Sequence, residues 1–314
     1  MFENIFMGAF IKAQIQQGAE FKKFVFPLET LNWLHTIQFS FSISNENCYG
    51  LGSDPNIKNA YIKSVVEYYE RKAFFEVGRL NGFNSTNGIA GHRFKLLARQ
   101  AALSELYERD SFLCHWYSQT PFLTVESSNK KILKTVDEMK SNKIRTLFFK
   151  TFLGVQETHL CFLVDIQTGG FALGLSSGKS YTENITKAFS EAAINYFLGH
   201  QGKSKDELLK DLENEGLCNL KNHRTYWLHF KPLPEWVHSQ PNLTLHENNK
   251  FDYAENIHLQ MNYGPIKVIG VKVSEIFTLS LGKPTAQDHL KLSRRIKFDK
   301  LAPSIEAMEP HPIP

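Results

Sequence analysis

Much is missing from this sequence. It has no C-x-x-C pair, no apolar run of 18 residues, no dense basic block and no familiar phosphate loop. Its four cysteines, Cys48, Cys114, Cys161 and Cys218, are scattered and form no Cys/His cluster of the kind zinc needs. Isolated cysteines behave as small buried hydrophobes, and a cytoplasmic location fits their use. Without a long apolar run no membrane span is expected, and Met1–Phe6 lacks the basic flank of a signal peptide. The net charge of +4 and pI near 8.7 are only mildly basic. Lys291–Lys297 is the closest approach to a basic patch, so nucleic acid is not an expected partner. Neither G-x-x-x-x-G-K-[ST] nor a helix-opening G-x-G-x-x-G occurs, and Gly50-x-Gly52 is too short to be either.

What is present is enough for a core. Hydrophobic residues make up 42% of the 314, and aromatics 13%, which argues against disorder. The length suits one large domain or two modest ones, and a single domain over 1–314 is expected. Ile37–Ile43 alternates like a half-buried strand, followed by a turn at Asn45–Asn47 and a loop over Gly50–Pro55. A helix is expected from about Asn56 to about Leu80, with Asp54 as N-cap and Pro55 at its first position. A Gly/Asn/Ser-rich loop over Asn81–His92 leads to a second helix from about Phe94 to about Tyr117. Strands are expected at Thr146–Phe152, His159–Val164 and Tyr263–Val273, and a third helix at Thr182–Leu198. Strands and helices mix without a βαβ rhythm, so the fold class is α+β, with mixed or antiparallel sheets packed against helices.

One phrase is written twice, 38 residues apart: Glu67-Tyr68-Tyr69-Glu70-Arg71-Lys72-Ala73-Phe74 and Glu105-Leu106-Tyr107-Glu108-Arg109-Asp110-Ser111-Phe112. Both fit E-x-Y-E-R-x-x-F. On a helix, positions i, i+3 and i+4 share a face, so each copy projects two carboxylates and a guanidinium together. A single E-x-x-E-R is ordinary helix-surface composition. Two copies sharing Tyr and Phe, each after a glycine-bearing loop, point beyond that. Mg²⁺ is held by one or two carboxylates plus substrate phosphates, and guanidiniums suit phosphate oxygens. The simplest ligand meeting both demands is a magnesium nucleotide.

At these residues the chain resembles the YcaO family, ATP-dependent enzymes that activate backbone amides. Ser64-x-x-Glu67-x-x-Glu70-Arg71 is similar to the family's S-x-x-E-x-x-E-R. Thr86-Asn87-Gly88-Ile89-Ala90-Gly91 followed by Glu105-x-x-Glu108-Arg109 is similar to its S-N-G-x-A-x-G and second E-x-x-E-R. Pro310-His311-Pro312-Ile313-Pro314 resembles the P-x-P-x-P of the azoline-forming branch, the thiazole/oxazole-modified microcin type, and Ala188–Ala193 weakly resembles a third family helix carrying Glu191. The resemblance implies a shortened YcaO-like fold whose proline-rich tail, 299–314, enters the active site. It implies Mg²⁺ on Glu67, Glu70, Glu105 and Glu108, and ATP held by Arg71, Arg109, Asn87, Ser64 and Glu191. Pro310, Pro312 and the carboxylate of Pro314 would serve catalysis. The implied reaction is attack of a peptide Cys, Ser or Thr on the preceding amide, phosphorylation of the oxyanion by ATP, and loss of phosphate to leave an azoline. The implied partners are a precursor peptide, a leader-peptide-binding protein, a flavin-dependent azoline dehydrogenase and a second copy in a homodimer. Two alternatives stand beside it: a YcaO enzyme of other amide chemistry, such as thioamide formation, and a non-catalytic YcaO-like scaffold. His115, between Cys114 and Trp116, is expected to be packed rather than catalytic.

Overall fold

The computed structural model describes residues 2–41, 48–199, 206–207, 209–210, 226–239, 246–247, 255–277, 284–297 and 310–313. In chain order the elements are α1 (Phe2–Gln16), β1 (Ala19–Phe24), β2 (His35–Phe41), β3 (Tyr49–Asp54), α2 (Ile57–Ala73), β4 (Ile89–His92), α3 (Lys95–Ser118), β5 (Leu123–Thr124), α4 (Lys130–Ser141), β6 (Ile144–Lys150), β7 (Thr158–Asp165), β8 (Phe171–Ser177), α5 (Tyr181–Gly199), β9 (His246–Glu247), β10 (Glu255–Tyr263), β11 (Ile266–Val273), α6 (Ala286–Arg295) and β12 (Ile296–Lys297). Every strand pairing among the described residues is antiparallel, which meets the α+β expectation. The expected turn at Asn45–Asn47, Cys218, residues 299–309 of the tail, and Pro314 lie outside the described residues.

The chain packs as two compact units, Met1–Leu106 with Tyr253–Ser274, and Tyr107–Asp252 with Glu275–Pro314. In the first unit, β1-β2-β3 forms one sheet and β10-β11-β4 another. Phe39, Val65, Tyr68, Ile89 and Val268 share its core. The expected loop at Gly50–Asp54 is instead strand β3, and α2 lies flush against it. A Cβ at Gly50 would stand 1.9 Å from Ser64 O, and one at Gly52 2.0 Å from Ala60 O. These glycines therefore serve backbone-to-backbone approach, not a phosphate loop or a break. The N-cap is also corrected. Asn56 Oδ1 accepts from Lys58 N at 2.9 Å, while Asp54 ends β3 and accepts from Asn56 N at 2.8 Å. The helical path then closes in a π turn, Phe74–Gly78.

In the second unit, β5-β6-β7-β8 forms a four-stranded sheet. Its core holds Phe112, Trp116, Phe122, Phe162, Phe171, Trp227, Phe277 and Ile313. β8 is buried along its whole length. Buried on both faces, it shows no polar alternation, and Gly174 further blurs its strand signal, so the sequence pattern misses it.

Cys48, Cys114 and Cys161 are buried thiols, as expected of isolated cysteines. His115 is fully buried and packed, also as expected. Its Nε2 accepts from Phe152 N at 3.0 Å and Leu153 N at 3.1 Å, and its Nδ1 donates to Thr120 O at 3.0 Å. That pattern needs the neutral ring. Burial lowers its pKa to about 4. Since the unfolded value is higher, this stabilisation is complete above about pH 6.5 and is lost as pH falls toward 4. Urea denaturation of His115→Gln should show a flatter stability profile between those pH values than the parent. The difference should reach roughly 3 kcal/mol at the acid end. Identical slopes would refute the assignment. Among the described residues no helix is long and apolar enough to cross a membrane.

Candidate active site

The sites grow from the helix faces outward. In the first unit α2 carries Glu67, Glu70 and Arg71 on one face, over β3 and β4. Leu51 N on β3 donates to Glu67 Oε2 at 2.8 Å, and Arg71 Nη2 donates to Glu67 Oε1 at 2.6 Å. The Arg71 guanidinium lies over the Tyr49 ring at 4.8 Å. Both oxygens of Glu67 are thus fixed, which holds its carboxylate in one orientation. Gly91 N on β4 donates to Glu70 Oε1 at 2.6 Å, and Gly88 N donates to Glu105 Oε2 at 3.4 Å. The Asn-Gly loop is shaped by packing. Gly88 has φ +81°, and a Cβ there would meet Val271 O at 2.7 Å, so the turn demands glycine.

Glu70 is the most perturbed acid. It retains some exposed area, yet its carboxyl is densely surrounded, and its pKa rises to about 8. Burial is the main cause. The Gly91 N–H and Arg71 oppose the rise, while the charges of Glu67 and Glu105 add to it. Glu70 therefore lies close enough to Glu67 and to Glu105 to feel both charges, a burden that a cation would relieve. Asn87 is buried with both amide atoms lacking a partner within the protein. Such orphaned groups are costly unless a ligand or water meets them. Ser64 is different: it is fully buried beneath β3, and its hydroxyl donates to Tyr61 O at 2.8 Å within α2.

In the second unit α3 carries Glu108 and Arg109. Glu108 is nearly buried, with Ser177 Oγ donating to its Oε2 at 3.3 Å and Lys187 Nζ 3.8 Å away. Arg109 Nη2 donates to Glu191 Oε1 at 3.4 Å, and Leu175 N to Glu191 Oε2 at 3.1 Å. The device of the first unit recurs here. The same 124 positions separate Gly50 from Gly174, Leu51 from Leu175 and Glu67 from Glu191. A Cβ at Gly174 would stand 2.0 Å from Ala188 O, and one at Gly50 1.9 Å from Ser64 O, three residues before the clamped glutamate in each helix. In both units the N–H after the glycine fixes one oxygen of that glutamate and an arginine fixes the other. Sequence reasoning caught the 38-residue echo and missed this one. Its signal is short, G-L-x-S followed by K-x-x-x-E at constant spacing.

Glu67, Glu70, Arg71, Glu105 and Asn87 thus belong to the first unit, and Glu108, Arg109, Glu191, Pro310 and Pro312 to the second. The stretch 310–313 includes buried Pro310, His311, Pro312 and Ile313, and Trp116 Nε1 donates to Pro310 O at 3.0 Å. Among the described residues no three His, Cys, Asp or Glu side chains close around a metal ion by themselves. Mg²⁺ normally completes its shell with water and phosphate, so carboxylate pairs beside guanidiniums fit it.

Fixed helix carboxylates beside guanidiniums have the donor set that suits metal-bound phosphate compounds. A family model described as YcaO cyclodehydratase, ATP- and Mg²⁺-binding, matches residues 79–258. The chain belongs to the YcaO family. The model begins after α2, so the first E-x-x-E-R lies outside the match. No curated protein matches by sequence. Among solved structures the chain is similar to a heterocyclase in complex with substrate and cofactor, with TM-score 0.61, 11% identity, and coverage of 97% of this chain and 56% of that one. It therefore spans little more than half of that protein. It is also similar to YcaO from Methanopyrus kandleri bound with AMPPCP and Mg²⁺, with TM-score 0.54, 13% identity, and coverage of 87% and 90%. Both likenesses are likenesses of fold.

Proposed function

We propose that the chain is an ATP-dependent cyclodehydratase that forms thiazoline or oxazoline rings from Cys, Ser or Thr of a ribosomally made peptide. The observation carrying this reading is the neighbouring pair of Glu67, held by Leu51 N and Arg71, and Glu70, held by Gly91 N, in a member of an ATP- and Mg²⁺-binding family. Glu67, Glu70, Glu105 and Glu108 are the proposed Mg²⁺ ligands; Arg71, Arg109, Asn87 and Glu191 are the proposed nucleotide contacts. Mg²⁺ and ATP, when bound, supply the phosphoryl group and neutralise its charge, turning an amide oxygen into a leaving group. The protein's own contribution is positioning. Backbone N–H groups hold Glu67 and Glu191 in fixed orientations, and Arg71 and Arg109 place positive charge beside them. A precursor peptide and a protein that delivers its leader complete the reading. Ser64, engaged inside α2, contributes the seat of the helix on β3.

The test is mass spectrometry of precursor peptide incubated with the protein, its leader-binding partner and ATP. The expected product has lost one water per ring, in step with ADP release. Tight Mg²⁺-ATP binding with a different mass change would transfer the reading to other amide chemistry. Absence of nucleotide binding would make the chain a scaffold.

A further inference from the structure

β1 (Ala19–Phe24) is an edge strand. Among the described residues it pairs with β2 alone, and no strand lies on its other side. Its side chains sort by face. Phe21 packs against Phe39 and against Tyr61 of α2, with ring centroids 4.9 and 5.0 Å apart. Glu20 and Lys22, one position to either side, therefore stand on the opposite face, and both are exposed. Lys22 Nζ lies over the Phe24 ring at 5.3 Å. Lysines on an edge normally keep strands apart. Here Glu20 supplies the opposite charge on the same face, two positions away.

Those charges select one way for the edge to meet a second copy of itself. Two copies related by a two-fold axis normal to the sheet run antiparallel, and each side chain keeps its face. The axis must then pass beside a residue that meets itself. Centres at Ala19 or Phe24 join only the strand tips. Centres at Glu20, Lys22 or Lys23 set like charges opposite each other, which destabilises a ladder. The centre at Phe21 does neither. It pairs the strands from Ala19 to Lys23, with Glu20 of each copy opposite Lys22 of the other and Lys23 opposite Ala19. It also brings the end at Val25, 74% exposed, to the end at Ile15 of the second copy, 51% exposed.

We propose that β1 is a self-pairing interface: two copies of the chain join their β1 edges, with Phe21 at the two-fold axis and Glu20 paired to Lys22 across it. The two sheets become one, and an edge open to aggregation is closed. β3, at the far edge of the same sheet, carries the Leu51 N–H that holds Glu67, so the interface leaves that support untouched. It is independent of the reaction proposed above.

Sedimentation of the full chain over a range of concentrations tests this. The parent should pass from 36.0 kDa to twice that mass as concentration rises. Lys22→Glu should weaken association about 10- to 100-fold, because it sets carboxylates opposite each other at both pairs. Glu20→Lys should do the same with ammonium groups, and the double exchange, Glu20→Lys with Lys22→Glu, should restore association to near the parent's. Both side chains are exposed, so circular dichroism should show the parent's fold in each variant. A parent that stays at 36.0 kDa overturns the inference. So does a dimer unmoved by either single change, or a double exchange that keeps the fold and fails to restore it. Amide exchange of residues 19–24 in the parent needs no variant: it should slow as the dimer forms, and equal rates in monomer and dimer overturn the inference as well.

Discussion

Glu70→Gln is expected to abolish magnesium-dependent ATP turnover and, in the same protein, to raise the stability of the metal-free fold above about pH 8. Both effects have one origin. The carboxyl lies among protein atoms and near the charges of Glu67 and Glu105, and its folded pKa is about 8. The unfolded value is about 4.3. The folded state therefore holds a proton that the unfolded state releases. This contribution is fully present below the unfolded pKa and is lost as pH rises toward 8. Across that window it amounts to roughly 3–5 kcal/mol, reduced to the extent that solvent reaches the group. Glutamine keeps the contact volume and cannot ionise, so its profile should be flat where the parent falls. Mg²⁺ reverses the order, because a metal needs the ionised carboxylate. Its addition should stabilise the parent above pH 8 and leave Glu70→Gln unmoved, and turnover should drop by more than about a hundredfold. Denaturation with chelator and with Mg²⁺, at pH 5 and pH 8.5, reads all of this. Parallel profiles would remove Glu70 from the metal set.

The sequence displayed the helices and the chemistry more readily than the architecture that holds them. The faces of α2 and α3 follow from E-x-x-E-R spacing alone, and the fold class follows from the absence of a βαβ rhythm. The strands β1, β3, β8 and β10 did not announce themselves. β3 and β8 carry glycines where a helix backbone presses on them, and a glycine in a pattern reads as a break. The role of Gly50 and Gly52 was hidden for the same reason, since close approach is a property of two elements at once. The equivalence of Glu67 and Glu191 was hidden because the supporting donors are backbone N–H groups, which every residue but proline has. Lys187 gave no signal because its partner Glu108 lies on another helix, remote in sequence.

Truncation before Pro310 should unfold the second unit more readily, and for reasons separate from any catalytic role of the tail. Pro310, His311, Pro312 and Ile313 are all buried, and Ile313 lies in the core with Trp116, Phe171 and Trp227. Prolines restrict the chain before it docks, so less entropy is lost on ordering it. Losing the Ile313 side chain removes about 1.5–3 kcal/mol of apolar burial. Leaving Trp116 Nε1 without the Pro310 carbonyl costs about 1–3 kcal/mol more. Together these are a large share of a typical domain's stability, and the unfolding midpoint should fall by about 5–15 °C. Two substitutions divide the effect. Trp116→Phe removes the hydrogen bond and keeps most of the ring, so it should cost about 1 kcal/mol. Ile313→Ala leaves the hydrogen bond and opens a cavity, costing about 2–5 kcal/mol. A truncated chain as stable as the parent would mean that this stretch lies on the core without contributing to it. If instead both single variants destabilise as stated, loss of activity on truncation measures folding first. Whether the prolines also serve catalysis must then be read from Trp116→Phe, in which the fold survives and only the grip on the tail is loosened.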